Sequence, residues 1–313
     1  MNVLSLFDGM SCGQIALERA GIKVDKYYAS EIKEHAIKVT QSNYPNTIQL
    51  GDVTKIKASD LPKIDLLVGG SPCQDFSQAN KERKGLDGEK SGLFFQYLRL
   101  LKELKPKYFL LENVKMKKEH QDIISYYLGV EPININSKII SGQLRNRFYW
   151  TNIQNIEPLK DKGVNLSSIL SDGYTDRLKS RALLESDSRP LSTPVKMFHR
   201  YYAKGFTTVV FKDKNHYNEC KLHYEQNYKG LSANEIDDKL VDNSVYDGLR
   251  YLNQNELERL QTIPHNYTKE LDRNDAACLL GDGWTVDVIA HIFKGLKDED
   301  NRRLQYLQKR LYV

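Results

Sequence analysis

A chain of 313 residues can bury a full core and hold one large domain with a smaller one beside it. Its 40% hydrophobic and 28% charged residues are ordinary for a soluble globular protein, and its formal charge of +5 fits a polyanionic partner without requiring one. Four widely spaced cysteines, Cys12, Cys73, Cys220 and Cys278, argue against a disulfide framework or a zinc cluster. The opening residues carry no basic stretch followed by a long apolar core, and no run approaches the length of a membrane span. The expected location is the cytoplasm, with reduced thiols and no membrane partner.

Val3 to Phe7 is a short apolar run stopped by Asp8-Gly9 and reads as the first strand. Gln14 to Ala20 has helical spacing and ends at Gly21. Tyr27 to Ser30 reads as a second strand, followed by the polar amphipathic segment Glu31 to Asn43. Ile48 to Leu50 runs into Gly51-Asp52, and Ile64 to Val68 into Gly69-Gly70. Leu93 to Leu104 predicts a helix, Tyr108 to Leu111 a buried strand, and Phe148 to Trp150 an aromatic strand. This rhythm predicts an α/β fold with a mostly parallel sheet and helices on both faces. In such sheets, ligand-handling residues gather at the carboxyl ends of the strands.

After about Asn165 the character changes. Ser167 to Lys239 is polar, tyrosine-rich and irregular, with basic residues among aromatics (His199-Arg-Tyr-Tyr-Ala-Lys204, then His216, Tyr217, His223, Tyr224, Tyr228). One reading is a loop-rich insert with solvated charges. The other is a lobe facing nucleic acid, since basic and aromatic side chains suit phosphates and bases. From Gly283 an apolar helical pattern returns (Val286, Ile289, Ile292, Phe293), followed by the charged amphipathic segment Asp298 to Leu311.

The glycines of Phe7-Asp8-Gly9-Met-Ser-Cys-Gly13 would let a ligand approach backbone at a helix N-terminus, although plain turns share the pattern. Glu31 after the second strand could hold ribose hydroxyls, and Asp52 after the third an adenine amine; each could equally be a cap or a surface charge. Gly69-Gly-Ser-Pro-Cys-Gln74 sets Cys73 on a tight loop after a buried strand, where it is either a nucleophile or a small hydrophobe. Glu112 in Glu112-Asn113-Val114 would lie beside that loop if the two strands are neighbours; otherwise it caps the next helix. Gln143, Arg145 and Arg147 alternate along an extended segment and would share one face, as a substrate-binding set or a surface charge stripe.

Taken in order, Phe-Asp-Gly, the strand-end Glu, Gly-Asp-Val, Pro-Cys-Gln, Glu-Asn-Val, Gln-x-Arg-x-Arg and the terminal Gly-Asp-Gly-Trp-Thr-Val resemble the motifs of DNA (cytosine-5) methyltransferases. The resemblance covers residues 1–152 and about 249–297. Phe-Asp-Gly-x-x-x-Gly, Tyr28-Ala-Ser-Glu31, Gly-Gly-Ser-Pro-Cys and Arg83-Lys-Gly-Leu86 are most similar to the animal de novo enzymes. Leu252-Asn-Gln-Asn-Glu256, Arg259-Leu-Gln and Pro264-His-Asn-Tyr267 resemble the segment preceding the terminal motif. The chain departs from most bacterial members in having Ser11 and Cys12 for two glycines, and Asp282 where many relatives have Asn. With no fused regulatory domain in the sequence, a bacterial or phage member is expected.

The resemblance implies a Rossmann-like S-adenosylmethionine-dependent methyltransferase fold with a small irregular recognition lobe. The catalytic domain is expected over 1–165 with 268–313, and the lobe over 166–267. S-adenosylmethionine would lie over Phe7, Asp8, Gly9 and Gly13, with Glu31 and Ile32 at the ribose and Asp52 and Val53 near the adenine. Pro72, Asp282, Leu93 and Trp284 would complete that pocket. The implied reaction turns a cytosine out of double-stranded DNA and adds Cys73 to its carbon 6. Protonated Glu112 would act at ring N3, and Arg147 with Arg145 would bind the O2 side and favour the thiolate. The resemblance also implies pairing as a homodimer and, for a restriction-modification member, a cognate restriction endonuclease as partner. A tRNA cytosine-5 methyltransferase is the rival reading, with Asp75-Phe76-Ser77 after Gln74 ambiguous between the branches. An inactive regulatory paralogue is disfavoured by the presence of Cys73 and Glu112, and a nicotinamide-dependent enzyme by the missing Gly-x-Gly-x-x-Gly.

Overall fold

The computed structural model describes residues 1–71, 92–184, 191, 193–205, 209–237, 239 and 241–297. Two compact units emerge: Met1–Asn136 with Asn146–Lys160 and Gly283–Val313, and Ser137–Arg145 with Asp161–Asp282. The expectations placed on Pro72, Cys73, Arg83-Lys-Gly-Leu86 and the segment Asp298 to Leu311 lie outside the described residues.

In chain order the first elements are β1 (Asn2–Leu6), α1 (Cys12–Ala20), β2 (Lys26–Ser30), α2 (Glu34–Asn43), β3 (Ile48–Gln49) and β4 (Leu66–Gly70). Then come α3 (Gly92–Leu104), β5 (Tyr108–Val114), α4 (Lys118–Leu128), β6 (Ile133–Asn136), β7 (Gln143–Leu144) and β8 (Asn146–Thr151). Seven of these strands form one sheet in the first unit, ordered β3-β2-β1-β4-β5-β8-β6. β3, β2, β1, β4 and β5 run parallel, while β8 is antiparallel to both β5 and β6. The central strands β1, β4 and β5 are almost continuously buried, as expected of a parallel sheet covered on both faces. Leu4, Leu6, Leu67, Phe94, Tyr97 and Trp150 belong to its main core. The chain order reverses between β1 and β4, so the carboxyl ends of these two strands flank the crevice where such sheets bind ligands.

Several element boundaries shift by a few residues from the sequence expectation, and two of the shifts bear on the site. The helix expected from Glu31 begins at Glu34, because the Glu31 carboxylate accepts hydrogen bonds from the backbone N–H groups of Ile32 and Lys33 and forms a turn first. β5 continues through Glu112 to Val114, so Glu112 lies inside a strand and does not cap a helix.

The second unit adds β9 (Ser180–Arg181), α5 (Pro194–Tyr202), β10 (Val209–Val210), α6 (Lys214–Asn227), α7 (Ala233–Asp237), β11 (Arg250–Tyr251), α8 (Gln254–Leu260) and α9 (Arg273–Asp282). Its strands are short, but the described residues of the stretch expected to be irregular carry three helices, α5, α6 and α7. Thr193 and Asp213 cap α5 and α6 by accepting from Lys196 N and His216 N. Of the tyrosines offered for base contact, Tyr201, Tyr224 and Tyr228 are interior and pack with Phe198, Phe211 and Tyr246. His199 and His216 are also buried. Tyrosine here is core material with a polar tip, which a hydropathy reading discounts. The last helix, α10 (286–297), returns to the first unit. The stretch Arg273–Lys297, spanning α9 and α10, passes for a membrane-crossing helix by length and composition only. It is 72% buried over its apolar window and interrupted at 283–285, as befits core helices.

Candidate functional site

β1 delivers the chain into a turn with three left-handed residues, Phe7 at φ 57°, Gly9 at φ 60° and Ser11 at φ 60°. Phe7 and Ser11 have no glycine's freedom, so each costs about 1–2 kcal/mol and needs an external hold. Asp8 supplies it. Its backbone N–H donates to Ser30 O at 3.1 Å, and its carboxylate accepts from the hydroxyls of Tyr27, at 2.8 Å, and Ser11. Burial pushes the Asp8 carboxyl up to about 6, against the lowering effect of hydrogen bonds from Ser11, Ser5 and Tyr27.

Gly9 N–H donates to Glu31 Oε2 at 2.8 Å, which joins the end of β1 to the end of β2. A carboxylate offers about four acceptor directions, so the three backbone donors on Glu31 leave room for a ligand hydroxyl. Ile32 beside it is 72% exposed, an apolar side chain on open surface. Asp52 caps the turn Val53–Lys55 through Thr54 N at 2.9 Å, and its hydrogen bonds to Thr54 hold its pKa below the ordinary carboxylate value. Val53 is buried, and Phe7 and Leu93 are half-buried against the main core. A Cβ on Gly9 or Gly51 would meet nothing within 4 Å, so the backbone at both strand ends faces open space.

The second cluster lies one strand over. Gly70 pairs with Glu112 across β4 and β5, so the carboxyl stands level with the strand end that leads through Ser71 to Pro72 and Cys73. Arg147 Nε meets Glu112 Oε1 at 2.9 Å, and Trp284 Nε1 donates to Glu112 Oε2 at 3.3 Å. Glu112 is 8% exposed, so the guanidinium is needed beside it: an unpaired carboxylate there would cost several kcal/mol, on the order of 3–5. Asn113, buried next to it, donates from Nδ2 to Ser71 Oγ at 3.2 Å and so ties β5 to the residue that precedes Pro72 and Cys73 in the chain.

Trp284 links the two clusters. A Cβ on Gly13 would come within 3.7 Å of its ring, and one on Gly70 within 3.0 Å of its Nε1. Gly13 is therefore glycine for close packing, because its Cβ would also sit 2.6 Å from the Tyr27 hydroxyl.

The segment carrying Gln143, Arg145 and Arg147 is divided. Gln143 and Arg145 belong to the second unit, and Arg147 to the first. Gln143 is fully buried and spends its amide on Leu260 O at 2.8 Å and Gln261 Oε1 at 2.9 Å, so it is a brace rather than a substrate contact. Arg145 is 3% exposed, with NH1 3.5 Å from Leu183 O. Lys179 binds the same excursion through Lys138 O at 2.7 Å, Ser141 O at 3.0 Å and Val164 O. Further along the second unit, Glu256 takes Arg250 through both oxygens, at 2.8 and 2.9 Å, and completes a capping box with Asn253. Buried Glu258 accepts from Asn266 N, Thr268 N and the Thr268 hydroxyl. The Asn253–Tyr267 segment thus holds its own fold together. Asp282 is exposed at the end of α9.

The structure brings Phe7, Asp8, Gly9, Glu31, Ile32 and Asp52 to neighbouring strand ends, and Glu112, Arg147 and Trp284 to the adjoining cluster. Sequence reading passes over Tyr27, Asn113 and Gly70. Gly69-Gly70 inside a buried strand is the available signal, since paired glycines there mark close approach by another group. Nothing in the pattern marks Tyr27, an ordinary aromatic in an ordinary strand.

Sheet order and strand-end clusters define an α/β protein with a mainly parallel sheet and a ligand crevice at the carboxyl ends of its strands. The model of the family "C-5 cytosine-specific DNA methylase" matches residues 1–298, and the chain belongs to that family. It is 32% identical over 253 residues to the orphan methyltransferase M.SPRI of Bacillus phage SPR, covering 77% of this chain and 57% of that protein. The chain thus spans little more than half the length of that relative. It is 29% identical over 313 residues to the type II methyltransferase M1.ScrFI of Lactococcus lactis subsp. cremoris, covering 92% of this chain and 75% of the other. Among solved structures, the Entamoeba histolytica methyltransferase EhMeth superposes with a TM-score of 0.67 at 18% identity, over 96% of this chain and 98% of that one, which speaks to the fold.

Proposed function

We propose that this chain is a DNA (cytosine-5) methyltransferase that methylates carbon 5 of a cytosine turned out of double-stranded DNA. The observation that carries this reading is Glu112, clamped by Arg147 and Trp284 and level with the strand end that leads to Cys73.

The strand-end residues fit S-adenosylmethionine. Open backbone at Gly9 and Gly51, the apolar Phe7 and Ile32, and acceptor capacity on Glu31 and Asp52 are what an adenosine needs. S-adenosylmethionine, when bound, supplies an electrophilic methyl group. Cys73 would add through its sulfur to carbon 6 of the flipped ring and make carbon 5 nucleophilic. Glu112, in its protonated form, would act at ring N3, its carboxyl oriented by the Trp284 indole. Arg147, with Arg145, would bind the O2 side of the ring and favour the Cys73 thiolate. Loss of the carbon-5 proton and expulsion of Cys73 would then restore the aromatic ring. The exposed Arg181, Lys204, Lys212 and Lys214 suit phosphate contacts by the lobe over 166–267, with 1–165 and 268–313 as the catalytic part. A cytoplasmic location, a homodimer and a cognate restriction endonuclease complete the reading.

The test is methyl transfer from labelled S-adenosylmethionine to unmethylated duplex DNA and to tRNA in parallel. Label at carbon 5 of cytosine within one recurring DNA sequence is expected. Cys73→Ser should abolish turnover while keeping cofactor binding, and Glu112→Gln should slow it by about 10²–10⁴-fold. Clear turnover by Cys73→Ser, or label in tRNA alone, would sink the proposal.

A further inference from the structure

We infer that Tyr27 is a positioning residue for the cofactor loop: its buried hydroxyl, bonded to Asp8, sets the conformation in which Phe7–Ser11 meets the ligand. The inference rests on the reading of that loop as the S-adenosylmethionine site.

Tyr27 is 3% exposed and sits on β2, away from the strand end, so it is too deep to touch a ligand over the loop. Its hydroxyl nevertheless reaches the loop and donates to Asp8 Oδ1 at 2.8 Å. Ser11 donates to the other oxygen, so the carboxylate is gripped from below by β2 and from above by the first residue before α1. Thr40 Oγ1 adds contacts of 3.4 Å to Gly9 O and 3.3 Å to Ser11 Oγ from α2. Every left-handed residue of the turn, Phe7, Gly9 and Ser11, is therefore within one residue of a group tied to Asp8, Thr40 or Glu31. The fold also makes room for this hydroxyl: Gly13 has no side chain where a Cβ would lie 2.6 Å from the Tyr27 oxygen. A phenyl ring would fill the same volume, so what the hydroxyl adds is its bond to Asp8.

The hydrogen bond to an ionised carboxylate is roughly twice as strong as one to its neutral form. Asp8 titrates in the fold at about 6, raised by burial. The groups facing it are the hydroxyls of Ser5, Tyr27 and Ser11 and the carboxylate of Glu31, with Cys12 bearing on Tyr27. In the unfolded chain the same carboxyl titrates near 3.8, so its ionisation lowers stability progressively as pH rises from that value to about 6. The Tyr27 bond counters this loss, and its contribution is largest above about pH 6, where the carboxyl is charged.

The experiment is calorimetric titration of S-adenosylmethionine into the wild type and Tyr27→Phe at about pH 5 and about pH 7.5, with initial rates on duplex DNA. The variant should bind the cofactor about 10-fold more weakly at the higher pH and within about 3-fold of wild type at the lower one. Its kcat at saturating cofactor and its KM for DNA should stay at wild-type values. An unchanged affinity, or a loss equal at both pH values, would overturn the inference and leave Tyr27 a packing residue. Should Tyr27→Phe fail to fold, Ser11→Ala removes the opposite donor and must give the same pH-dependent loss for the inference to stand. Failure of the wild type itself to bind S-adenosylmethionine would overturn the functional reading and this inference together.

Discussion

At the scale of single residues, the proposed chemistry depends on which atoms the backbone lets come close. Gly70 is the sharpest case. A methyl group there would stand 3.0 Å from both Glu112 Oε2 and Trp284 Nε1, so either the carboxyl or the indole must shift. Gly70→Ala should therefore slow methyl transfer by up to about 10-fold, because the carboxyl or the indole must give way by a fraction of an ångström and a full ångström at a reacting group costs about 100-fold. Its melting temperature should change little, since alanine suits a strand better than glycine. A normal rate for Gly70→Ala would mean that Glu112 need not hold its place. Arg147 and Arg145 make a different point. Two residues apart in sequence, they are fixed by different neighbours, Arg147 by Glu112 and Arg145 within the second unit beside Leu183.

At the scale of elements, short segments are secured mainly by side chains at their ends. α8 has seven residues and would be marginal alone, but Asn253 accepts from Glu256 N while Glu256 Oε2 accepts from Asn253 N at 2.8 Å. Asn253→Ala should cost about 1 kcal/mol and lower the melting temperature by about 2–4 °C, measurable by calorimetry. An unchanged melting temperature would assign the hold on α8 to the Arg250–Glu256 pair. The strands and their end-residues were legible in the sequence because buried parallel strands are uninterrupted apolar runs closed by Gly, Asp or Glu. Three features were not. The reversal of β8 depends on the excursion Ser137–Arg145, whose hold comes from Lys179, Ser180 and Leu260, all distant in sequence. The helices of the second unit hide in a polar composition because tyrosine supplies their apolar surface. Gln143 looks like a substrate donor until its partners on Leu260 and Gln261 are seen.

For the molecule as a whole, the net charge of +5 carries little weight by itself, and the placement of the lysines and arginines matters more. Lys179 is engaged with three backbone carbonyls, so it should contribute nothing to a phosphate contact. Lys204, Lys212 and Lys214 are exposed. Replacing these three with glutamine should weaken DNA binding and reduce the slope of log affinity against log salt by about 0.9 for each phosphate no longer neutralised. An unchanged slope would assign this part of the lobe to structure alone. The two tryptophans divide the molecule in another way. Trp150 is sealed in the core with its indole on Ser125, whereas Trp284 is half-buried against Glu112 and the glycines of both clusters. Their ultraviolet emission thus has two sources, one insulated from solvent and one next to the proposed chemistry. The protein carries its own optical label at the site, with an internal reference built into the same chain.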